Sequence, residues 1–292
     1  MSLKTNREHL VKMSVQGAAA HPSGSQVRVD SEGHPFVMPA IGGITYNVRL
    51  GDPCFGLVGD HVEPGVSMEN PNRNENNAFM VFSCFGNKAR VITGDAKGDV
   101  GFVTGKHGGV EHVMACFDED TLYKMVIGDQ ILVEAYGQGL KLLDYPDIKV
   151  QSLDPDILEN MGIEEKDGKL VVPVVATVPA HLMGSGIGDL NCYTGDYDLM
   201  TIDRQEIAQL GLDKLRFGDF VFLQDCDNTY GRGYLHDAVS IGMVIHSDCI
   251  VSGHGPGIST VLACKTSMMV PKIDPEANLL KYHKIAMKKQ KR

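Results

Sequence analysis

The chain has 292 residues, of which 43% are hydrophobic and 22% are charged, with 33 glycines and no tryptophan. Acidic side chains outnumber basic ones by 37 to 27, and the resulting formal charge of −10 argues against non-specific binding to nucleic acids or anionic membranes. A chain of this length buries about 75% of the surface that its unfolded form exposes, so a globular fold needs no disulfide framework.

The sequence shows no sign of export or of a membrane span. No apolar run reaches the roughly 18 residues that a spanning helix requires, and the N-terminus lacks the apolar core of a signal peptide. The seven cysteines form no C-x-x-C pair, which is typical of reduced and buried thiols. We therefore expect a cytoplasmic protein.

Short apolar runs dominate the chain and predict a mainly β fold. They are rich in Val, Ile, Phe and Thr and are bounded by Gly, Asp and Asn. In chain order they are residues 44–50, 79–85, 89–94, 100–105, 111–117, 130–136, 170–178, 220–225, 239–246 and 258–264. Gly-Asp pairs recur near their boundaries, where glycine adopts positive φ and aspartate accepts a hydrogen bond from the turn backbone.

One segment of the first half predicts a small barrel. Residues 91–104 resemble a KOW-type hairpin, in which two strands and a Gly-Asp-x-x-Gly turn belong to an SH3-like barrel. Residues 111–117 are expected to pair with this hairpin next, followed by residues 126–136. The acidic charge of the chain gives no support for the nucleic-acid roles of such barrels.

Helices are expected to be few and short. Residues 154–162 combine an aspartate N-cap, a proline at the first helical position and a final glycine, and residues 203–211 carry a similar pattern. Residues 69–77 are polar and are predicted to form an exposed loop. The polar stretch 145–170 is the predicted boundary, so residues 1–150 and 151–272 form two β domains and residues 273–292 a basic tail.

Two clusters carry potential metal ligands. The first places Asp60 and His61 with Glu63 in a loop closed by proline and glycine, a donor set suited to zinc, manganese or iron. The alternative is a turn in which Asp60 caps backbone amides and His61 faces water. The second, residues 106–112, contains two histidines on either side of a Gly-Gly turn that lets the chain double back. The alternative to a metal site is that Glu111 and His112 only begin an exposed strand, with their side chains on opposite faces.

Two further clusters are candidates for binding a substrate. His181 precedes three glycines at two-residue spacing, at positions 184, 186 and 188, whose free backbone amides could hold an anion. Asp225 and Asp227 share one face of an extended strand next to Asn228, and Asx-turn chemistry is the competing explanation. Ser, His and Asp also occur together at residues 246–254, but no G-x-S-x-G motif supports a serine hydrolase.

Several motifs in order resemble an uncharacterised bacterial family, domain-of-unknown-function family 4438. They are GGITYNV (42–48), GDHVEPGVS (59–67), GDAKGDVGFVTGKHGGVEHV (94–113), GQGLKLLDYPDIKV (137–150), VPAHLMGSGIG (178–188) and GHGPG (253–257). The resemblance implies a mostly β, two-part protein without an assigned activity. A looser architectural likeness, carried by the Gly-Asp strand starts, connects the chain with acetamidase/formamidase-like metal-dependent amidases.

These clusters together predict a metal-dependent hydrolase or related lyase that acts on a small polar substrate. The predicted ligands of a zinc, manganese or iron ion are His61, His107 and His112, with Asp60 or Asp225. Glu111 is the predicted general base, and Lys106 is predicted to hold an anionic group. The predicted substrate-binding residues are His181, Gly184, Ser185, Gly186, Asp227 and Asn228.

The alternative hypothesis is a non-catalytic small-molecule-binding or oligomeric structural β protein, in which the same loops form only turns and subunit contacts. A homo-oligomer is expected in either case. The two hypotheses differ in where the histidines lie, because a separation of more than about 10 Å excludes a shared metal shell.

Overall fold

The structure is a computed structural model that describes residues 3–23, 27–186 and 192–284. It is mainly β, with 38% of residues in strands and 15% in helices, as the sequence predicts. The strands of the first half are β1 (Met13–Ala19), β2 (Arg28–Val29), β3 (Pro35–Phe36), β4 (Ile44–Thr45), β5 (Gly65–Glu69), β6 (Lys88–Val91), β7 (Val100–His107), β8 (His112–Cys116) and β9 (Gln130–Ala135).

The later strands and the helices complete the described chain. The strands are β10 (Lys149–Val150), β11 (Glu164–Lys166), β12 (Lys169–Val174), β13 (Ala176–Val178), β14 (Met183–Gly186), β15 (Tyr197–Leu199), β16 (Phe220–Asp227), β17 (Gly233–Val244), β18 (Gly257–Cys264) and β19 (Met269–Ile273). The helices are α1 (Arg73–Phe82), α2 (Glu119–Lys124), α3 (Pro155–Asn160), α4 (Arg204–Gln209) and α5 (Leu279–Tyr282).

The first sheet closes into a six-stranded barrel. Its order is β1-β9-β6-β7-β8-β5, closed by pairing of β5 with β1, and β4 extends it beside β5. The predicted hairpin is present as β6 and β7, with β8 paired to β7 and β9 to β6. Strand β9 alternates buried and half-buried residues, which places every second side chain inside the barrel.

The second sheet forms a half-barrel. Its order is β13-β16-β17-β18-β15-β14, and β10 pairs with β18. Every residue of β18 is buried, so this strand is covered on both faces. A separate sheet of β11, β12 and β19 lies beside it, and β2 pairs with β3.

The two β units share one hydrophobic core, and this contact positions the candidate site. A Cβ atom on Gly105 of β7 would lie 3.0 Å from Cβ of Ile245, which directly follows β17. The Ser259 hydroxyl of β18 donates a hydrogen bond to the carbonyl of Lys106 at 3.2 Å. The end of β7 and the loops around β15, β17 and β18 therefore meet at the junction.

Two local predictions are wrong at helix α1. Residues 69–77 were expected to form a loop and residues 79–85 a strand, whereas Arg73–Phe82 is helical. The Asn72 side chain accepts hydrogen bonds from the amides of Asn74 and Glu75, which caps the helix. Phe79 then packs so closely on β1 that a Cβ on Gly17 would lie 2.5 Å from its ring, so tertiary packing selects the helix.

The predictions for two helices and for the cysteines are confirmed. Helices α3 and α4 lie within the predicted ranges 154–162 and 203–211, each with its aspartate cap. All seven cysteines are free and buried. In the described part of the chain, no helix is long and apolar enough to cross a membrane. Residues 285–292 of the basic tail lie outside the described residues.

Candidate metal centre

A cavity of about 1070 Å³ opens at the junction of the barrel and the half-barrel. One wall comes from the β7–β8 hairpin and the start of α1, and the other comes from β14, β15 and the loop before β18. Its charged, imidazole and hydroxyl-bearing lining includes His61, Arg73, His107, Glu111, Ser185, Asp196, Asp198 and His254.

Glu63 organises the barrel side of the site. Its carboxylate is 1% exposed and lies 2.5 Å from Nδ1 of His107 and 2.9 Å from Nδ1 of His112, while the Ser67 hydroxyl donates a further hydrogen bond to it. Burial opposes ionisation, but the two imidazole contacts outweigh it and hold the pKa of Glu63 below its usual value. Because Nδ1 of His107 is taken, its Nε2 is the atom left to face the junction.

His61 is held in the same way by another buried carboxylate. Its Nδ1 lies 3.0 Å from Oδ1 of Asp60, whose other oxygen forms an ion pair with Arg28 at 2.6 Å. Burial raises the pKa of Asp60, but its contacts with His61 and the nearby positive charge outweigh this and lower that pKa to about 2. Asp60 therefore stays ionised and directs Nε2 of His61 towards the second β unit.

His246 follows β17 and is fully buried. Its Nδ1 lies 2.9 Å from the carbonyl oxygen of Ser247 and 3.2 Å from the amide nitrogen of Gly257. A ring nitrogen cannot donate and accept at once, and the shorter contact assigns the proton to Nδ1. Nε2 is therefore the ring nitrogen that faces Asp196 and Asp198.

Two carboxylates of the half-barrel meet these imidazoles. Nε2 of His246 lies 3.0 Å from Oδ2 of Asp196 and 3.2 Å from Oδ1 of Asp198, and Nε2 of His61 lies 3.4 Å from Oδ2 of Asp198. The Asp196 oxygen and the His246 nitrogen are buried without a well-directed hydrogen bond in the described structure. Ligand atoms bound to one ion at about 2.1 Å are about 3.0–3.4 Å apart, so these spacings fit a cation.

The charges of the cluster also favour a cation. Burial opposes protonation of His246, yet its contacts with Asp196 and Asp198 raise its pKa well above the usual value. Burial likewise opposes ionisation of Asp198, but the neighbouring imidazoles lower its pKa. Protons and metal ions therefore compete for the same atoms, and metal affinity should fall as the pH is lowered.

The structure brings four of the predicted ligands together. The ring centroids of His61 and His107 lie 5.8 Å apart, Asp60 holds His61, and His112 faces His107 across the hairpin and shares Glu63 with it. His112 contacts Glu63 and is absent from the described lining of the cavity, so it supports His107 rather than facing Asp196 and Asp198. Among the predicted substrate-binding residues, Ser185 and Gly186 line the cavity, and so does Glu111.

Other predicted site residues lie elsewhere. His181 is exposed and binds Glu206 at 2.8 Å, Asp225 contacts the exposed His236 at 3.3 Å, and Asp227 accepts the hydroxyl hydrogen of Thr229. Asn228 is buried and donates to the Thr260 hydroxyl at 3.2 Å, and Gly184 accepts a hydrogen bond from Arg232. None of these predicted residues belongs to the described lining of the cavity, and Gly188 falls outside the described residues.

Two other groups of metal-capable side chains are less suited to an ion. Asp225, His236 and Asp237 form an exposed group on β16 and β17. Asp60, His61 and Cys249 form a buried group, but burial and the neighbouring carboxylate raise the pKa of the Cys249 thiol, which therefore stays protonated.

Lys106 was predicted to hold an anionic group, but it does not belong to the described lining of the cavity. It is 1% exposed, and its Nζ donates to the Ser152 hydroxyl and to the carbonyl of Tyr193, both at 2.9 Å. No carboxylate of the described chain forms an ion pair with it. Burial lowers the pKa of Lys106 to about 8, so part of the population is neutral near physiological pH.

This burial predicts a specific pH dependence of stability. The folded pKa of about 8 is below that of an unfolded lysine, so the unfolded chain binds more protons between these values and wild-type stability rises with pH. Without metal, the stability difference between wild type and Lys106→Met should therefore move in favour of wild type by about 2 kcal/mol between pH 7 and 10.

Urea unfolding in the presence of a chelator, at both pH values, measures this difference. Lys88→Met is the matched control, because Lys88 is an exposed lysine that pairs with Glu134 at 3.2 Å. An unchanged Lys106→Met difference between pH 7 and 10 would contradict the prediction.

Sequence reasoning missed Asp196, Asp198, His246 and His254 as functional residues. A usable signal was present for Asp196 and Asp198, since an Asp-x-Asp pair in an extended segment places both carboxylates on one face. His246 and His254 lie beside β18 in the fold, and nothing local in the sequence relates them to a loop of the barrel.

The fold and the site define a two-part β protein with a His/Asp cluster suited to a metal ion at the junction of its halves. The family model described as domain of unknown function (DUF4438), N-terminal, matches residues 27–159, and its C-terminal counterpart matches residues 160–283. The chain belongs to this family.

A solved structure described as the crystal structure of TM1086 is 48% identical to the chain, with a TM-score of 0.93. The match covers 97% of this chain and 100% of that one. A comparison with curated proteins finds no match.

Proposed function

We propose that the protein is a metal-dependent hydrolase or related lyase that acts on a small polar substrate. The observation that carries the proposal is the convergence of three imidazoles, each anchored through Nδ1, on two buried carboxylates. We assign one divalent ion to the inner site, defined as His107, His246, Asp196 and Oδ1 of Asp198. Zinc, manganese and iron all accept this mixture of nitrogen and oxygen donors.

The cavity beside the inner site supports a polar, carboxylate-bearing substrate. Arg73, at the start of α1, lines the cavity and forms no ion pair with any described residue, so its guanidinium is available to a carboxylate. Asn74 and Asn77 of the same helix add amide groups to this wall. Glu111 lies at the tip of the β7–β8 hairpin and lines the cavity. Because its carboxylate lies beside the space for a substrate, Glu111 stays the candidate general base.

A bound ion would supply a water molecule of lowered pKa or polarise a substrate carbonyl. The protein itself would fix the imidazoles through Glu63, Asp60 and the Ser247 carbonyl, and would orient the substrate through Arg73. Because each ligand histidine is already directed by an acceptor, little reorganisation is required when the ion binds.

Metal analysis tests the proposal. Protein purified without chelators and without a nickel column should contain at least one zinc, manganese or iron ion per chain by mass spectrometry. After chelation, restoring the metal at about 1,000 times its dissociation constant should stabilise the fold by about 4 kcal/mol, visible as a higher melting temperature. Sub-stoichiometric metal with no thermal shift for any of the three would overturn the proposal and leave the non-catalytic alternative.

A second candidate function rests on a separate contact in the cavity. The Ser185 hydroxyl lies 3.3 Å from Nε2 of His254, and Nδ1 of His254 lies 2.5 Å from Oδ2 of Asp198, as in a serine-hydrolase triad. The Ser185 amide, however, donates to the carbonyl of Gly253 and is not free to stabilise an oxyanion. Fluorophosphonate labelling that persists in chelator and disappears in Ser185→Ala would favour this candidate over the metal centre.

A further inference from the structure

The two oxygens of Asp198 face different groups of imidazoles. Oδ1 lies 3.2 Å from Nε2 of His246, within the inner site. Oδ2 lies 3.4 Å from Nε2 of His61 and 2.5 Å from Nδ1 of His254. The carboxylate therefore stands between two sets of nitrogen donors, as a bridging ligand does in two-metal sites.

Two of the three distances around Oδ2 fit ligands of one ion, whereas the 2.5 Å contact between Nδ1 of His254 and Oδ2 of Asp198 is a hydrogen bond that must lengthen when an ion binds. Nε2 of His61 lies 3.2 Å from Nδ1 of His254, so the three atoms are mutually within 3.4 Å. His61 donates its Nδ1 proton to Asp60, which leaves a lone pair on Nε2 facing the carboxylate oxygen. Two lone pairs at this distance repel unless a cation or a second proton lies between them.

From this geometry we infer a second divalent-cation site, bridged to the first by Asp198 and formed by His61, His254 and Oδ2 of Asp198. We call it the outer site. The inference rests on the proposed function, because the inner site shares the bridging carboxylate. The ring centroids of His61 and His246 lie 4.9 Å apart, which is compatible with two ions about 3.5–4 Å from each other.

The two sites differ in access to solvent. Residues of both sites line the cavity, but His246 of the inner site is fully buried whereas the His254 side chain of the outer site is 33% exposed. The outer site has three protein ligands and the inner site four, so the outer ion keeps more positions open for water or substrate. We therefore expect the inner ion to be retained and the outer ion to exchange readily and to contact the substrate.

Titration of the metal-free full-length protein with Mn²⁺ alone tests the inference. Equilibrium dialysis should show two ions per chain in wild type and one in His254→Ala. His181→Ala is the matched control, since His181 is a surface histidine outside the cavity lining, and it should bind two. Electron paramagnetic resonance provides an independent readout. Two coupled ions should broaden the six-line Mn²⁺ signal in wild type, whereas the single ion in His254→Ala should give a sharp six-line signal.

The outcomes separate the inference from the proposed function. A wild type that saturates at one ion per chain, with an uncoupled six-line signal, overturns the outer site and leaves the inner site in place. Binding of no ion overturns both, and protonation of His61 then accounts for its contact with Asp198. If His254→Ala fails to fold, the number of ions bound per wild-type chain still distinguishes one metal site from two.

Discussion

Replacing Asp198 with asparagine should remove nearly all bound metal, with affinity lowered by at least about 100-fold. Asp198 lies within 3.4 Å of His61, 3.2 Å of His246 and 2.5 Å of His254. The amide keeps the size of the side chain but removes its charge and places N–H donors where oxygen lone pairs face the ion. Mass-spectrometric metal content and the Mn²⁺ binding isotherm measure the loss.

Asp225→Asn is the matched control for this substitution. Asp225 belongs to the exposed group with His236 and Asp237, which offers a similar donor set on the surface. Its substitution should leave the metal content unchanged. Wild-type metal content in Asp198→Asn, or a loss in Asp225→Asn, would place the ion elsewhere.

Gly257→Ala should disrupt the same centre by steric means. Gly257 pairs with Asp198 across β15 and β18, and a Cβ at this position would lie 2.2 Å from both Oδ2 of Asp196 and Nε2 of His246. Real Cβ contacts are essentially never so short, so the two candidate ligands or the backbone of β18 must shift. Overpacking of this kind costs about 1–3 kcal/mol and should also abolish metal binding.

Gly231→Ala provides the comparison, because no heavy atom lies within 4 Å of the Cβ that it adds. Thermal unfolding in chelator isolates the packing cost, and metal content measured at a temperature where both variants are folded reports on the ligands. A Gly257→Ala variant that binds metal with wild-type affinity would show that the ion does not use Asp196 and His246 together.

Much of the fold follows from local patterns. The hairpin of β6 and β7, the strands β8 and β9, and helices α3 and α4 all carry signals within a few neighbouring residues, such as alternating burial, Gly-Asp turns and aspartate caps. Helix α1 is the instructive failure. Its N-cap signal at Asn72 is local, but its apolar half resembles a strand, and only the packing of Phe79 against Gly17 decides between the two.

The candidate site also has a part that the sequence predicts and a part that it does not. The Gly-Gly turn predicts that His107 and His112 meet, because a tight hairpin brings its two ends into register, and the structure pairs these residues. The sequence could not predict that Glu63 occupies Nδ1 of both, nor that His107 then presents Nε2 to a carboxylate of another sheet. Orientation of an imidazole depends on its partner, and the partners are distant in the sequence.

The sequence by itself determined a mainly β chain with a barrel in its first half, reduced cysteines, and glycine-rich loops that carry histidines and carboxylates. These properties depend on residue type and on contacts between near neighbours. The tertiary structure alone decided which loops share a site: it joined His61 and His107 of the barrel to Asp196, Asp198 and His246 of the half-barrel and directed Lys106 into the core. The physical reason is that a common core forces the two sheets together, and the atoms facing each other across their junction are fixed by sheet order and register.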